Sequence, residues 1–202
     1  MSASHSKSAF LYGQIRQALR SGDHLPGQRI DPTTLAMEFR TSATPVRLAL
    51  SRLVGERLVD DHARNGLHVP LPNEVGLRDL YDWMQRLLSM ACDIGFTPAS
   101  AQQEPDAGDD GAKLTWQLFD AIAHAIPHRS LQQAVLLAND RLAPVRHTKR
   151  DLIEHAHAEL SGLTRHWQER DIPALRAALH AYYERRKKLV PCIVAMMSDH
   201  LQ

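Results

Sequence analysis

The chain has 202 residues, 44% apolar and 23% charged, with a formal net charge of +1. This length and composition give a globular chain with room for two small domains, and the whole-chain charge does not announce a nucleic-acid partner. Cys92 and Cys192 have no CxxC spacing, MSASHSKSAF at the N-terminus has no apolar run of a secretory signal, and no segment approaches the roughly 20 apolar residues of a membrane span. The expectation is a protein of the reducing cytoplasm with no membrane partner.

A first helix is predicted over residues 8–21, where Leu11, Ile15, Ala18 and Leu19 recur at helical spacing. Ser21-Gly22-Asp23 ends it, and Leu25-Pro26-Gly27 reads as a turn. Asp31-Pro32 opens a second helix with Leu35, Ala36 and Phe39 inward. Asp accepts from free N–H groups at a helix start, and Pro at the first position loses no needed hydrogen bond. Thr44-Pro45 gives the same signal for a third helix, with Val46, Ala49, Leu50 and Leu53 on one face and Thr44, Arg47 and Ser51 on another. Leu58-Val59 and Leu67-His68-Val69 read as short strands joined through Arg64-Asn65-Gly66. Pro70, Pro72 and Asn73 mark a boundary between a domain at 1–72 and a domain at 73–202.

The second domain reads as helical throughout. Leu77, Leu80, Met84, Leu87, Leu88 and Ala91 form a stripe over 75–93, and the polar stretch 94–112 reads as a mobile loop. Leu114, Leu118, Ile122 and Ala125 mark the next helix, and Leu131, Val135, Ala138 and Leu142 another that ends near Pro144. Leu152, Ala156, Leu163 and Trp167 mark a fourth. Asp171 caps one long last helix with Leu175, Leu179, Tyr182, Leu189, Ile193 and Met196 inward. The fold class is therefore mostly α: an N-terminal winged helix-turn-helix followed by an all-α bundle.

Helix, turn, helix, wing is an order suited to the major groove of DNA. The third helix carries Ser42, Thr44 and Arg47 at its start, flanked by Arg40. Hydroxyls and N–H groups at a helix N-terminus bind phosphate, and an Arg one turn in reaches a phosphate or the O6/N7 edge of guanine. Arg64 and Asn65 at the wing tip are placed for the adjacent backbone, and Gly66 permits the tight turn. Periodicity alone leaves a protein-binding module or an enzyme subdomain open; Arg47 alone is more often a solvated surface residue than a base reader, and Arg64 is equally readable as a simple turn residue.

The runs PGQRI, LAMEF, TSATPVRLALSRLVGERLV and RNGLHV resemble the N-terminal domain of GntR-family transcriptional regulators over residues 8–70. The resemblance implies a homodimeric, repressor-type regulator that binds double-stranded operator DNA. It places Thr33, Ser42, Thr44, Arg47, Asn65 and Gly66 where the family contacts that DNA. Ala43 stands where the family has Arg, leaving Arg40 to compensate, and Arg57 stands where the family has Gly before Leu-Val.

The helical remainder resembles the FCD domain of the FadR-like group, which forms the dimer and a central pocket, in many members with a divalent metal on one Asp and three His. Here the four ligand positions fall on Thr115, Phe119, Leu160 and Tyr182, and two further pocket positions fall on Met84 and Leu88. Phe and Leu have no donor atom, so neither metal nor other cofactor is expected. These six residues imply a pocket for an apolar or aromatic effector, or a closed core with no ligand. His124, His128, His155, His157, His166 and His180 with Asp120 leave a displaced metal site open, although solvated histidines are the simpler reading. No Gly-rich phosphate loop, nucleophile elbow or paired-carboxylate motif supports an enzyme.

Overall fold

The computed structural model describes residues 2–97, 110–148, 152–153 and 155–199. Helix α1 spans Ser2–Ser21, starting earlier than the apolar spacing suggested, and buries Leu11, Tyr12, Ile15 and Leu19. Strand β1 is Arg29–Ile30, a pair of residues too short to show alternation in sequence. Helix α2, Pro32–Glu38, starts as expected: Asp31 Oδ1 accepts the Thr33 N–H at 3.0 Å.

Helix α3 is Ala43–Gly55, and its N-cap is Ser42, two residues before the predicted Thr44. Pro45 therefore sits at the third helical position, where its missing N–H is still one that the helix cannot use. The inward stripe is Val46, Ala49, Leu50 and Leu53, as expected.

Leu58 and Val59 are not a strand. They are buried plugs at the end of α3, where the Leu58 N–H returns to the Leu53 carbonyl at 2.9 Å and the Arg57 N–H to Val54 at 2.9 Å. This wrap needs a left-handed residue, and Arg57 supplies it with φ +56°. Strand β2 follows at Asp60–His62 and β3 at Gly66–His68, in an antiparallel sheet of order β1-β3-β2 with Arg29 opposite His68 and His62 opposite Gly66.

Asn73 caps α4, Glu74–Ile94, by accepting the Gly76 N–H at 2.8 Å, and all six residues of the predicted stripe are buried. Of the predicted loop 94–112, residues 98–109 lie outside the described residues. The flanks are ordered into structure: the Thr97 N–H donates to Ala125 O at 2.8 Å, and α5 is Gly111–His124.

Helix α6, Arg129–Thr148, runs through Pro144 instead of ending there. A mid-helix proline costs about 3 kcal/mol. Here Ala143, Val145 and Arg146 are buried in a helix packed against α1, α4 and α5, and that burial outweighs the lost hydrogen bond. Helix α7 is Ala156–Gln168, so Leu152 lies before it.

The predicted long last helix is two, α8 (Ile172–Lys188) and α9 (Val190–Asp199). Pro191 has no N–H to return to the Lys187 carbonyl, which instead accepts Arg78 Nη1 at 2.8 Å. The break rotates the inward face, so Met197 is buried and Met196 only half-buried. No helix among the described residues is long and apolar enough to cross a membrane.

Two apolar clusters result. One gathers buried residues from Leu11 to Val69, the other from Leu77 to Met197. Polar chemistry joins them where α1 meets α6. Asp140, 2% exposed, accepts Arg16 Nε at 2.6 Å, Arg20 Nε at 2.7 Å and Trp116 Nε1 at 2.9 Å, and Arg20 stacks 4.5 Å from the Trp116 ring. His147 Nε2 donates to the Arg20 carbonyl at 2.8 Å. A Cβ on Gly22 (φ +83°) would stand 2.6 Å from the His147 ring, so this close approach requires glycine.

Candidate nucleic-acid interface

Burying Val46, Ala49, Leu50 and Leu53 leaves the other side of α3 in solvent. Thr44, Arg47, Leu48 and Ser51 are all exposed, at the i, i+3, i+4, i+7 spacing of one helical face. Arg47 has no hydrogen bond or ion pair among the described residues. Arg52, one turn further on, is engaged: its Nε lies 3.2 Å from Glu56 Oε1 and its guanidinium 3.8 Å from the Tyr12 ring. The helix therefore has a committed C-terminal half and an uncommitted N-terminal half.

Ser42 caps α3 by backbone geometry but makes no side-chain cap bond, leaving its hydroxyl unused. Arg40 lies in the α2–α3 turn with φ +48° and is exposed. Thr33 is also exposed, but the N-terminus of α2 is already occupied by Asp31, which accepts the Thr33 N–H at 3.0 Å and the Thr34 hydroxyl at 3.0 Å. Those bonds hold the Asp31 carboxyl below its ordinary value, so it stays ionised beside Thr33. Of the two helix N-termini, α3 is the one free to receive an anion.

Arg64 and Asn65 are exposed at the tip of the β2–β3 hairpin, which is closed by the Asn65 N–H on His62 O at 2.9 Å and by Gly66 at φ +80°. A Cβ on Gly66 would lie 3.9 Å from Arg29 Nε, so Arg29 runs beside the wing. Neither Arg29 nor Leu48 was singled out in sequence. Arg29 stands in PGQRI, which reads as a turn until the sheet is seen, and Leu48 falls between the polar positions of α3.

The bundle holds a cavity of about 390 Å³. Three of the six expected residues line it: Thr115, Leu160 and Tyr182. Met84, Leu88 and Phe119 do not; each is 0% exposed in the core, with Phe119 packed edge-on against Tyr182 at 5.5 Å. The wall also contains Arg146, Arg186, His155 and His157, so it carries charged groups that the expected pocket did not. The resemblance to a metal-binding pocket singled out Thr115, Phe119, Leu160 and Tyr182 and passed over Arg146 and Arg186, which line the cavity from α6 and α8. His155 and His157 face the cavity, whereas His124 Nδ1 sits 3.2 Å from Asp120 Oδ2 at an exposed position on α5. Among the described residues no three His, Cys, Asp or Glu side chains are grouped to hold a metal.

Residues 7–69 match the bacterial regulatory proteins of the gntR family. An HTH-type transcriptional regulator, YdhC of Bacillus subtilis (strain 168), is 26% identical over 92 residues; the match spans 46% of this chain and 41% of that protein. Two solved structures have the fold over nearly all of both chains. A transcriptional regulator GntR from Rhodococcus sp. RHA1 superposes with TM-score 0.72 at 18% identity, covering 92% of this chain and 97% of its own. E. coli McbR/YncC superposes with TM-score 0.62 at 18% identity, covering 97% and 99%. The winged head with an all-helical partner is thus a shared architecture, while the family match itself lies on the head.

Proposed function

We propose that this protein is a DNA-binding transcriptional regulator, not an enzyme. Its helix α3 enters the major groove and its β2–β3 wing lies on the flanking backbone. The observation that carries this is the uncommitted face of α3, Thr44, Arg47, Leu48 and Ser51, on a head that matches the gntR family. Arg47 acts as the base or phosphate reader and Leu48 as an apolar partner for a thymine methyl. Ser42, Arg40, Arg64, Asn65 and the added Arg29 hold phosphates and fix the register, whereas Thr33 stands beside the ionised Asp31.

The test is an electrophoretic mobility shift on DNA from upstream of the protein's own gene, at several salt concentrations. Sequence-dependent binding is expected, weakening roughly 10³–10⁵-fold between about 50 and 200 mM salt if six to ten phosphates are neutralised. Binding no tighter than to unrelated DNA would sink the reading.

The regulator works as a homodimer in this reading. Val75, Trp83, Met90 and Ile94 lie on one face of α4 and are 68%, 49%, 51% and 46% exposed, an apolar stripe that a second copy covers by a two-fold axis. Trp83→Glu is expected to yield monomers in sedimentation, with helix content retained. A small molecule in the bundle cavity then shifts the balance between two arrangements of the heads. A coupling of about 1–3 kcal/mol changes DNA affinity about 5–150-fold.

A further inference from the structure

We infer that Asp140 of the bundle is a positioning residue for the reading helix α3, acting through Arg16, Tyr12 and Glu56, and that it thereby sets the affinity for DNA without touching DNA. The part that concerns DNA rests on the regulatory reading; the line of contacts does not.

The contacts form one unbroken line from α6 to α3. Asp140 is buried, and its Oδ2 accepts Arg16 Nε at 2.6 Å. Arg16 Nη1 donates to the Tyr12 hydroxyl at 2.8 Å, and that hydroxyl donates to Glu56 Oε2 at 2.6 Å. Glu56 is the C-cap of α3, and its other oxygen accepts Arg52 Nε at 3.2 Å. The Tyr12 ring is buried and carries the Arg52 guanidinium 3.8 Å from its centre. On the bundle side, Asp140 is itself fixed by Trp116 Nε1 at 2.9 Å and Arg20 Nε at 2.7 Å. Trp116, and His147 which holds the Arg20 carbonyl, each follow a residue of the cavity wall, Thr115 and Arg146. Helix α3 is therefore gripped at its C-terminal end by groups whose footing adjoins the bundle cavity.

Each contact dictates the next. A guanidinium is a planar fork, so once Asp140 fixes its Nε edge the direction of Nη1 is fixed too. A hydroxyl that accepts from an arginine has one proton left to give, and Glu56 takes it. Burial and the Glu56 bond raise the Tyr12 phenol above its ordinary value, so it keeps that proton. Apolar packing of α1 on α3 is non-directional and sets how close the helices lie. The polar line fixes the angle at which α3 stands on its C-cap. The end of α3 proposed to meet DNA is the other one: Thr44 lies about 18 Å from Glu56 at 1.5 Å per residue. A small turn at Glu56 thus becomes a displacement at Thr44. A reading helix already held in one arrangement loses less conformational freedom on binding, which raises affinity.

Amide hydrogen exchange is measured on the full-length protein without DNA, and mobility shifts on the upstream DNA are run in parallel. Tyr12→Phe removes only the hydroxyl, and Asp140→Asn removes the charge that orients Arg16; Arg16→Gln cuts the same line and takes the place of Asp140→Asn should that variant not fold. Each is expected to speed exchange at Leu53 to Leu58 by about 3- to 10-fold relative to α2 of the same head. Each is expected to weaken DNA binding by a similar factor, with sequence preference kept. The double variant Tyr12→Phe/Asp140→Asn is expected to go no further than the larger single, because both cut one line. Leu175→Ala is a destabilising change in the core of α8, which packs on α4, α7 and α9, and it is expected not to single out Leu53 to Leu58. Unchanged exchange there in Asp140→Asn, factors that multiply in the double variant, or the same pattern from Leu175→Ala overturns the inference. So does unchanged DNA affinity where exchange has risen. A parent protein that does not prefer its upstream DNA sinks the regulatory reading instead and leaves the exchange result standing.

Discussion

The two candidate sites use arginine in opposite settings. On the N-terminal head, Arg29, Arg40, Arg47 and Arg64 are exposed, without ion pairs among the described residues. In the bundle, Arg146 and Arg186 are 5% and 4% exposed. Solvated charges act over a Debye length of about 8 Å at physiological salt and tolerate many partners, as a phosphate surface requires. Desolvated charges act at hydrogen-bond distance and demand a particular counter-ion. Between the extremes, Arg16 and Arg20 tie α1 to Asp140 of the bundle. Bulk charge, +1 over the chain, shows none of this division.

The largest test of that division is at the junction. Asp140→Ala leaves Arg16, Arg20 and Trp116 without their shared acceptor and is expected to destabilise the protein by about 3 kcal/mol in thermal or urea unfolding. Asp140→Asn, which keeps one acceptor, is expected to lose less. A loss under about 1 kcal/mol for the alanine variant would mean that the Asp140 cluster does not hold the head and bundle together.

Next comes the contrast within α3. Arg47→Ala is expected to weaken binding to the preferred DNA by about 1–3 kcal/mol and to blur sequence preference. Arg52→Ala, whose side chain is engaged with Glu56 and Tyr12, leaves sequence preference as it was. Arg40→Ala and Arg64→Ala are expected to lower affinity evenly across sequences and to reduce the salt slope by about 1 each. Equal effects of Arg47→Ala and Arg52→Ala in the mobility shift would erase the proposed polarity of the helix.

The smallest effect concerns Arg57, a charged residue in a left-handed conformation at φ +56°. Arg57→Gly relieves that strain but gives the unfolded chain more freedom, so a net gain of about 0.5 kcal/mol is expected in unfolding experiments. A loss would show that the Arg57 side chain contributes more than its backbone costs.

Much of the head was legible because its signals are local. Asp31-Pro32 starts α2 by chemistry confined to four residues, and the stripe Val46, Ala49, Leu50, Leu53 needs only the helical period. The errors fall where a distant group decides. Leu58 and Val59 have strand-forming side chains, yet the α3 wrap takes their backbone. Pro144 is a stop signal that burial on three sides overrides, and Pro191 is a break whose freed carbonyl is taken by Arg78. The candidate DNA face was readable from exposed polar spacing. The cavity was half readable: Thr115, Leu160 and Tyr182 reach it, while Arg146 was not singled out, because nothing in the neighbouring sequence reveals that its charge is buried without a partner.

The order helix, turn, helix, wing, the inward faces of the helices and the resemblance carried by TPVRLALSRL follow from the amino-acid sequence alone, since periodicity, caps and turns act over a few residues. Which arginines meet solvent, which meet Asp140 and which lie in the bundle with no acid beside them was settled only when α1, α5, α6, α7 and α8 packed together. The reason is dielectric. A charge is defined for function by the water and counter-charges around it, and those come from parts of the chain as far as 124 residues away.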